Sequence, residues 1–293
     1  MPCQFDVDTA AAAAHLAELS LHEDLQQTGD ITSQATIPEQ LSAAVRVVVR
    51  QRGVIAGLGV IPLVFRLLPG PVRTELFMQD GDEVGPGSVL AEIHGPVRTL
   101  LTGERTVLNF LTHLSGIATC AAQFVRAVRG TSAQILDTRK TLPGYRLLQK
   151  YAVRCGGGVN HRFGLYDGML IKDNHLAARG SSSCAGAVKA ARDYLQERRL
   201  RVPVEIEVDT LEQLRDALTE HPELVLLDNM TCDQLRQAVA LRDQLAPGTR
   251  LEASGGVNSD TVQAIAQTGV DRISVGSLTH SAPALDIAFD WPW

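Results

Sequence analysis

From Thr131 onward the chain alternates short apolar runs with amphipathic stretches, and this pattern narrows the fold more than any other feature. The candidate strands are QILD (134–137), GMLIK (168–172), VEIEV (204–208), LVLLD (224–228), RLEAS (250–254) and DRISVG (271–276). Amphipathic helices at 210–220, 231–245 and 259–268 lie between several of them. Apolar runs followed by helices read as parallel βα units around a buried sheet. Their number implies a closed or partly closed α/β barrel, with a doubtful extra strand near Gly157–Asn160.

The first half has a different texture. Asp8 or Thr9 is placed to cap an alanine-rich helix running to about Leu25. Between Ala43 and Arg98 come short β-rich runs, AVRVVVRQ, VIAGLGV, RTELFM and VLAEIH, punctuated by Asp80-Gly81 and by GPG at 85–87. The stretch GDEVGPGSVLAEI resembles a turn of biotinyl- or lipoyl-carrier sandwiches, but no lysine sits between its strands, so it reads as a structural turn. Helical periodicity covers about Thr102 to Val128, with a break expected at Ser115-Gly116.

A net charge of −6 argues against a protein that coats nucleic acid or anionic membrane. The five cysteines are odd in number, scattered and without CxxC, which fits a reducing compartment better than a disulfide framework. The apolar stretch from Gly53 to Phe65 is too short to span a bilayer, and acidic residues near the start do not suit a signal peptide. The expectation is a cytoplasmic protein.

Chemistry concentrates where the strands end. Asp137, Lys172, Glu207, Asp228, Ser254 and Gly276 all lie at or just beyond the carboxyl end of an apolar run, the end that carries the active site in such barrels. Between Asp137 and His175 there are seven Arg or Lys residues against three Asp, inside an acidic protein. Arg146, Lys150 and Arg154, four apart, read as a solvated helix face. Arg139, Lys140, His161, Arg162 and Lys172 flank glycines or strand ends and read as a pocket for a polyanion. The glycines at 156–158 are expected to let the main chain pass close to the ligand. Glu207 and Asp228 end neighbouring strands, an arrangement suited to Mg²⁺. Salt bridges to the basic cluster are the competing role, and Glu205, on the same face as Glu207, is an alternative ligand. Ser254, Gly255 and Gly256 after one strand and Gly276-Ser277 after the next read as a phosphate grip.

GERTVLNFL (103–111), SGIAT (115–119), DTRKTLPG (137–144), NHR (160–162), KDNH (172–175), LLDNM (226–230), EASGGV (252–257) and SVGSLTHS (274–281) together resemble the quinolinate phosphoribosyltransferases, also called carboxylating nicotinate-nucleotide pyrophosphorylases. The likeness runs from about Glu23 to the C-terminus, with Leu142 standing where threonine is common. It implies an N-terminal α/β sandwich (1–115), an open α/β barrel (116–280) and a tail (281–293) that packs back on the first domain. It further implies a homodimer or larger assembly with shared sites, Arg105 being delivered into the neighbour's barrel. By the same likeness Arg139, His161, Arg162 and Lys172 surround the quinolinate carboxylates. Lys140, Glu207, Asp228, Ser254, Gly255 and Gly276 take phosphoribosyl pyrophosphate and its Mg²⁺, and no organic cofactor is needed. Lys140, Glu207, Asp228 and Lys172 are the expected catalytic groups. The nearest rival is a nicotinate phosphoribosyltransferase; a barrel aldolase using Lys172 as Schiff-base nucleophile is more remote, and a carrier module explains none of the strand exits.

Overall fold

The computed structural model describes residues 4–180 and 182–293. The first stretch of chain forms α1 (Val7–Leu25), α2 (Ile31–Thr36), β1 (Ser42–Val49), β2 (Gly53–Val54), α3 (Val60–Arg66), β3 (Arg73–Leu76), β4 (Glu83–Val84) and β5 (Val89–Pro96). A long helix, α4 (Val97–Ala127), leads to β6 (Gln134–Leu136) and α5 (Arg146–Cys155). Then follow β7 (Met169–Ile171), α6 (Asp173–Arg179), α7 (Cys184–Arg198), β8 (Val204–Val208), α8 (Leu211–Leu218), β9 (Leu224–Asp228) and α9 (Cys232–Leu245). The chain closes with β10 (Arg250–Ser254), α10 (Val262–Ala266), β11 (Arg272–Ser274), α11 (Ser277–His280) and β12 (Ile287–Asp290). No helix is long and apolar enough to cross a membrane, and no disulfide forms, among the described residues.

Two compact units emerge, and neither is a continuous piece of chain. Unit 1 takes residues 1–122, 141–157 and 278–293; unit 2 takes 123–140 and 158–277. Unit 1 includes α5. There Tyr151 packs edge-on against Phe5 and donates to the Asp80 carboxylate, while Gln149 donates to the carbonyl of Thr279.

Unit 1 is built on an antiparallel sheet in the order β12-β1-β5-β3. Alternating valines and an isoleucine supply its buried side: Val45 pairs with Ile93, and Val47 lies opposite both Ala91 and Phe289. Asp6, not Asp8 or Thr9, caps α1 by accepting from the Thr9 amide at 2.8 Å. Thr9 is itself buried on the inner side of the helix and cannot serve. The break expected at Ser115-Gly116 is absent, for α4 runs through it. Ser115 Oγ and Thr119 Oγ1 instead accept the amides of Ala56 and Val54. Gly116 admits the backbone of the C-terminal segment, for a Cβ there would sit 2.1 Å from the Pro283 oxygen. The solvated face expected on α5 is also corrected: Lys150 is fully buried, and Arg146 and Arg154 are half-buried. Two of the glycines at 156–158 have a structural role. Gly156 approaches α4 so closely that a Cβ would meet the Ala118 oxygen at 2.3 Å, and Gly157, at φ +85°, ends α5.

Unit 2 is a six-stranded, all-parallel sheet ordered β6-β11-β10-β9-β8-β7. In circular sense this is chain order, with the last strand returned to the side of the first, as in a barrel. It does not close, since β6 and β7 are not paired. The doubtful strand near 157–160 is reduced to one parallel bridge, Leu136 to Val159, at that open edge.

Candidate active site

The strands of unit 2 present two unlike faces. Ile206, Val225, Leu227, Leu251, Ala253 and Ile273 are buried on one of them, and α7 and α8 pack onto β8. Each larger side chain there contributes roughly 1.5–3 kcal/mol by leaving water. Because side chains alternate along a strand, the other face receives Glu205, Glu207, Asp228, Glu252, Ser254, Arg272 and Ser274. Register aligns them, with Leu226 level with both Glu207 and Glu252, Asp228 with Ser254, and Glu252 with Arg272. The apolar face therefore carries stability, and the polar face is left for chemistry.

At the carboxyl ends the acidic and basic clusters meet. Lys172 caps α6 after β7, and its Nζ contacts the Glu207 carboxylate on β8. Glu207 is the glutamate of β8 nearer the strand end and is half-buried, whereas Glu205 is buried and committed to His161. Asp228, half-buried, accepts from the Asn229 side chain at 2.7 Å. Asn229, at φ +53°, in turn donates its amide to the Ser254 carbonyl at 2.9 Å, locking the exits of β9 and β10 together. Gly255 and Gly256 both have positive φ, +92° and +62°. A Cβ on Gly255 would lie 2.2 Å from Asn229 Oδ1, so the loop keeps the bare main chain that an approaching phosphate requires. Gly276 holds the equivalent place between β11 and α11.

Arg139 and Lys140 are exposed beyond β6. Asp137, fully buried at the end of that strand, accepts from the amide of His161 at 2.9 Å and from the side chain of Asn160. The His161 ring turns inward: its Nε2 lies 3.2 Å from Glu205 Oε2 and 3.3 Å from Glu252 Oε1. Its Nδ1 accepts from the amide of Arg162 at 2.7 Å. Burial pulls the His161 pKa down, but the two carboxylates outweigh it and raise it; the Arg162 amide aimed at Nδ1 works against a second proton. Burial and the Glu252 charge push Glu205 up. Glu252 is held below the usual carboxylate range, its burial being outweighed by His161 and Arg272.

Arg162 departs from the expected grouping. Its Nη1 donates to the Gly168 carbonyl at 2.9 Å, and it lines a cavity of about 250 Å³ with Asn160, Pro203, Leu224 and Arg272, beside the amino ends of β7, β8 and β9. Burial, then the nearby charge of Arg139, lowers its pKa. Arg105 belongs to unit 1, exposed and well inside α4. Glu252, Arg272, Asn160 and Asn229 are the side chains that motif reading passed over. In RLEAS and DRIS the signal was present, since Leu251, Ala253 and Ile273 face the helices and leave Glu252 and Arg272 on the polar side.

Comparison with known proteins agrees along the whole chain. Residues 30–115 match the quinolinate phosphoribosyl transferase N-terminal domain and residues 117–290 its C-terminal domain. The carboxylating nicotinate-nucleotide pyrophosphorylase of Mycobacterium leprae is 49% identical over 290 residues, 98% of each chain. A probable enzyme of the same name from Bacillus subtilis is 44% identical over 90% of this chain and 88% of its own. The solved nicotinate-nucleotide pyrophosphorylase structure from Francisella tularensis superposes with a TM-score of 0.88 at 36% identity, covering 96% of both chains. With both domains matched and near-full-length relatives at this identity, the chain belongs to the quinolinate phosphoribosyl transferase family.

Proposed function

We propose that this chain transfers the phosphoribosyl group of phosphoribosyl pyrophosphate to quinolinate, releasing pyrophosphate and CO₂ and leaving nicotinate mononucleotide, in NAD biosynthesis. The observation that carries this reading is the meeting of Lys172 and Glu207 on the sheet face whose strand β10 ends in the glycine loop. One strand-end site thus offers a cation for carboxylate, an anion for developing positive charge, and bare amides for phosphate.

In this reading Arg139 and Lys172 take the two carboxylates of the pyridine and orient its ring. Ser254, Gly255, Gly256 and Gly276 take phosphate, and Lys140 neutralises the departing pyrophosphate. As the C1–O bond breaks, positive charge grows on the ribosyl carbon, where Glu207 stabilises it. The pyridine nitrogen then attacks C1. The bond from the adjacent ring carbon to its carboxylate then breaks, the electron pair staying on that carbon, where the neighbouring pyridinium charge stabilises it; CO₂ leaves, the carbon takes a proton from solvent, and no organic cofactor is needed. Glu207 and Asp228, oxygen donors from one face of neighbouring strands, fit Mg²⁺, which favours one or two carboxylates together with substrate phosphate. When bound, Mg²⁺ would supply charge neutralisation at the pyrophosphate.

Lys172 is already engaged with Glu207, whereas a Schiff-base nucleophile needs a free, neutral amine, which disfavours the aldolase reading. Arg105, exposed on α4, is assigned to the site of a partner subunit, making the working unit a cytoplasmic homodimer or a larger homo-oligomer. Incubation with quinolinate, phosphoribosyl pyrophosphate and Mg²⁺ is expected to yield CO₂ and nicotinate mononucleotide in equal amounts, and excess chelator to stop both. Comparable catalytic efficiency on nicotinate, which lacks one carboxylate, would instead make this a nicotinate phosphoribosyltransferase.

A further inference from the structure

Four non-glycine residues have positive φ among the described residues: Gln26, Arg199, His221 and Asn229. The first three follow the helices α1, α7 and α8, where a left-handed residue is an ordinary way to end a helix. Asn229 is different, because it follows a strand, at the carboxyl end of β9. Residues held in sparsely populated backbone regions cluster at sites that bind or react. Here the neighbours are Asp228 on one side and the glycine loop after β10 on the other.

The backbone does not account for the side chain. The Asn229 amide donates to the Ser254 carbonyl at 2.9 Å, a bond open to any residue but proline. Glycine would adopt a φ of +53° at least as readily as asparagine. What the asparagine side chain adds is a pair of opposed contacts. Its Nδ2 donates to Asp228 Oδ2 at 2.7 Å, and since a carboxylate only accepts, this settles which way the amide faces. Its Oδ1 is thereby turned to Gly255, where it would stand 2.2 Å from an added Cβ, with Cγ at 2.6 Å. Ser254 and Asp228 are already level in the parallel ladder. One side chain therefore sets both a carboxylate suited to Mg²⁺ and the bare main chain suited to phosphate.

We propose that Asn229 is a positioning residue for the metal and phosphate half of the site: it holds the Asp228 carboxylate and the Gly255 main chain at a fixed separation, so that cation ligand and phosphate loop are presented together. This rests on phosphoribosyl pyrophosphate as the ligand of these strand ends. The dicarboxylate is assigned to Arg139 and Lys172, on the segments after β6 and β7, so the effect of losing the Asn229 side chain falls on one substrate.

The test is equilibrium binding by calorimetry, which needs no turnover. Phosphoribosyl pyrophosphate is titrated in the presence of Mg²⁺, and quinolinate separately, each without the other substrate. Asn229→Gly keeps the left-handed backbone and the amide donor while deleting both side-chain contacts. It is expected to raise Kd for phosphoribosyl pyrophosphate about fivefold, the size of one net hydrogen bond. Kd for quinolinate should stay within about twofold. Asn229→Ala deletes the same contacts and adds backbone strain, so it is expected to melt below Asn229→Gly with a similar rise in Kd. A Kd that rises in the alanine variant but not in the glycine variant would assign the effect to the backbone and overturn the proposal. Equal losses for both substrates, or a glycine variant that does not fold, would overturn it as well. Absence of phosphoribosyl pyrophosphate binding to the unaltered protein is a separate outcome, which would overturn the reading of the site and the proposal with it.

Discussion

Asp80 lies half-buried in unit 1 and accepts from the Tyr151 hydroxyl and, at 3.0 Å, from the Leu58 amide. Burial pushes its pKa up, only partly opposed by those hydrogen bonds. Burial and the Asp80 charge likewise push the Tyr151 phenol well above its usual value. A carboxyl whose folded pKa is raised binds its proton more tightly in the native state than in the unfolded one. Its contribution to stability is therefore full below the ordinary carboxylate pKa and is lost as pH climbs through the raised value. Asp80→Asn keeps an acceptor and a similar shape while removing the charge. The melting temperature of the variant, relative to the parent, is expected to rise as pH climbs above the ordinary carboxylate range, about pH 4. Parallel melting curves across that range would show that folding leaves the Asp80 pKa unchanged.

At the scale of elements, Gly116 shows two effects in competition. Helix propensity favours alanine over glycine in mid-helix by about 1 kcal/mol. The Cβ, however, would stand 2.1 Å from the Pro283 oxygen and 3.0 Å from the Ala284 Cα, and both are backbone atoms. Relief requires moving the C-terminal segment, at about 1–3 kcal/mol or more, as for other overpacked sites. Gly116→Ala is thus expected to lower the urea midpoint at unchanged m-value, and a stabilised variant would mean that the segment yields freely. The same glycine shows what the sequence conceals. Strands β8, β9 and β10 were legible to the residue, because apolar runs ending in charge are a local signal. So were the polar exits Glu207, Asp228 and Ser254. A serine and a glycine in α4 read locally as a break, whereas their reason lies in segments distant in sequence, at Ala56 and Pro283. Lys150 was misread likewise, since four-residue spacing defines a face but does not tell what covers it. Glu252 and Arg272 were legible only through the alternation of their strands, since neither stands at a strand exit.

For the whole molecule, the proposed sharing of Arg105 gives the sharpest expectation. Arg105→Ala and Arg139→Ala should each be nearly inactive and remain folded. Mixed under conditions that exchange subunits, they form dimers in which one of the two sites has both arginines, and part of the activity returns. No recovery despite demonstrated exchange would place Arg105 in the site of its own chain. The three-segment composition of unit 1 bears on something else, the making of the protein. One edge of β1 is covered by β12, paired from Arg46–Asp290 to Val49–Ile287. β12 leaves the ribosome only after roughly 240 further residues, some 10–50 seconds at about 5–20 residues per second. Through that interval β1 offers an open strand edge, the feature by which sheets join the wrong neighbour. The yield of correctly folded chain is then set by a race during translation, between arrival of the last strand and capture of the first.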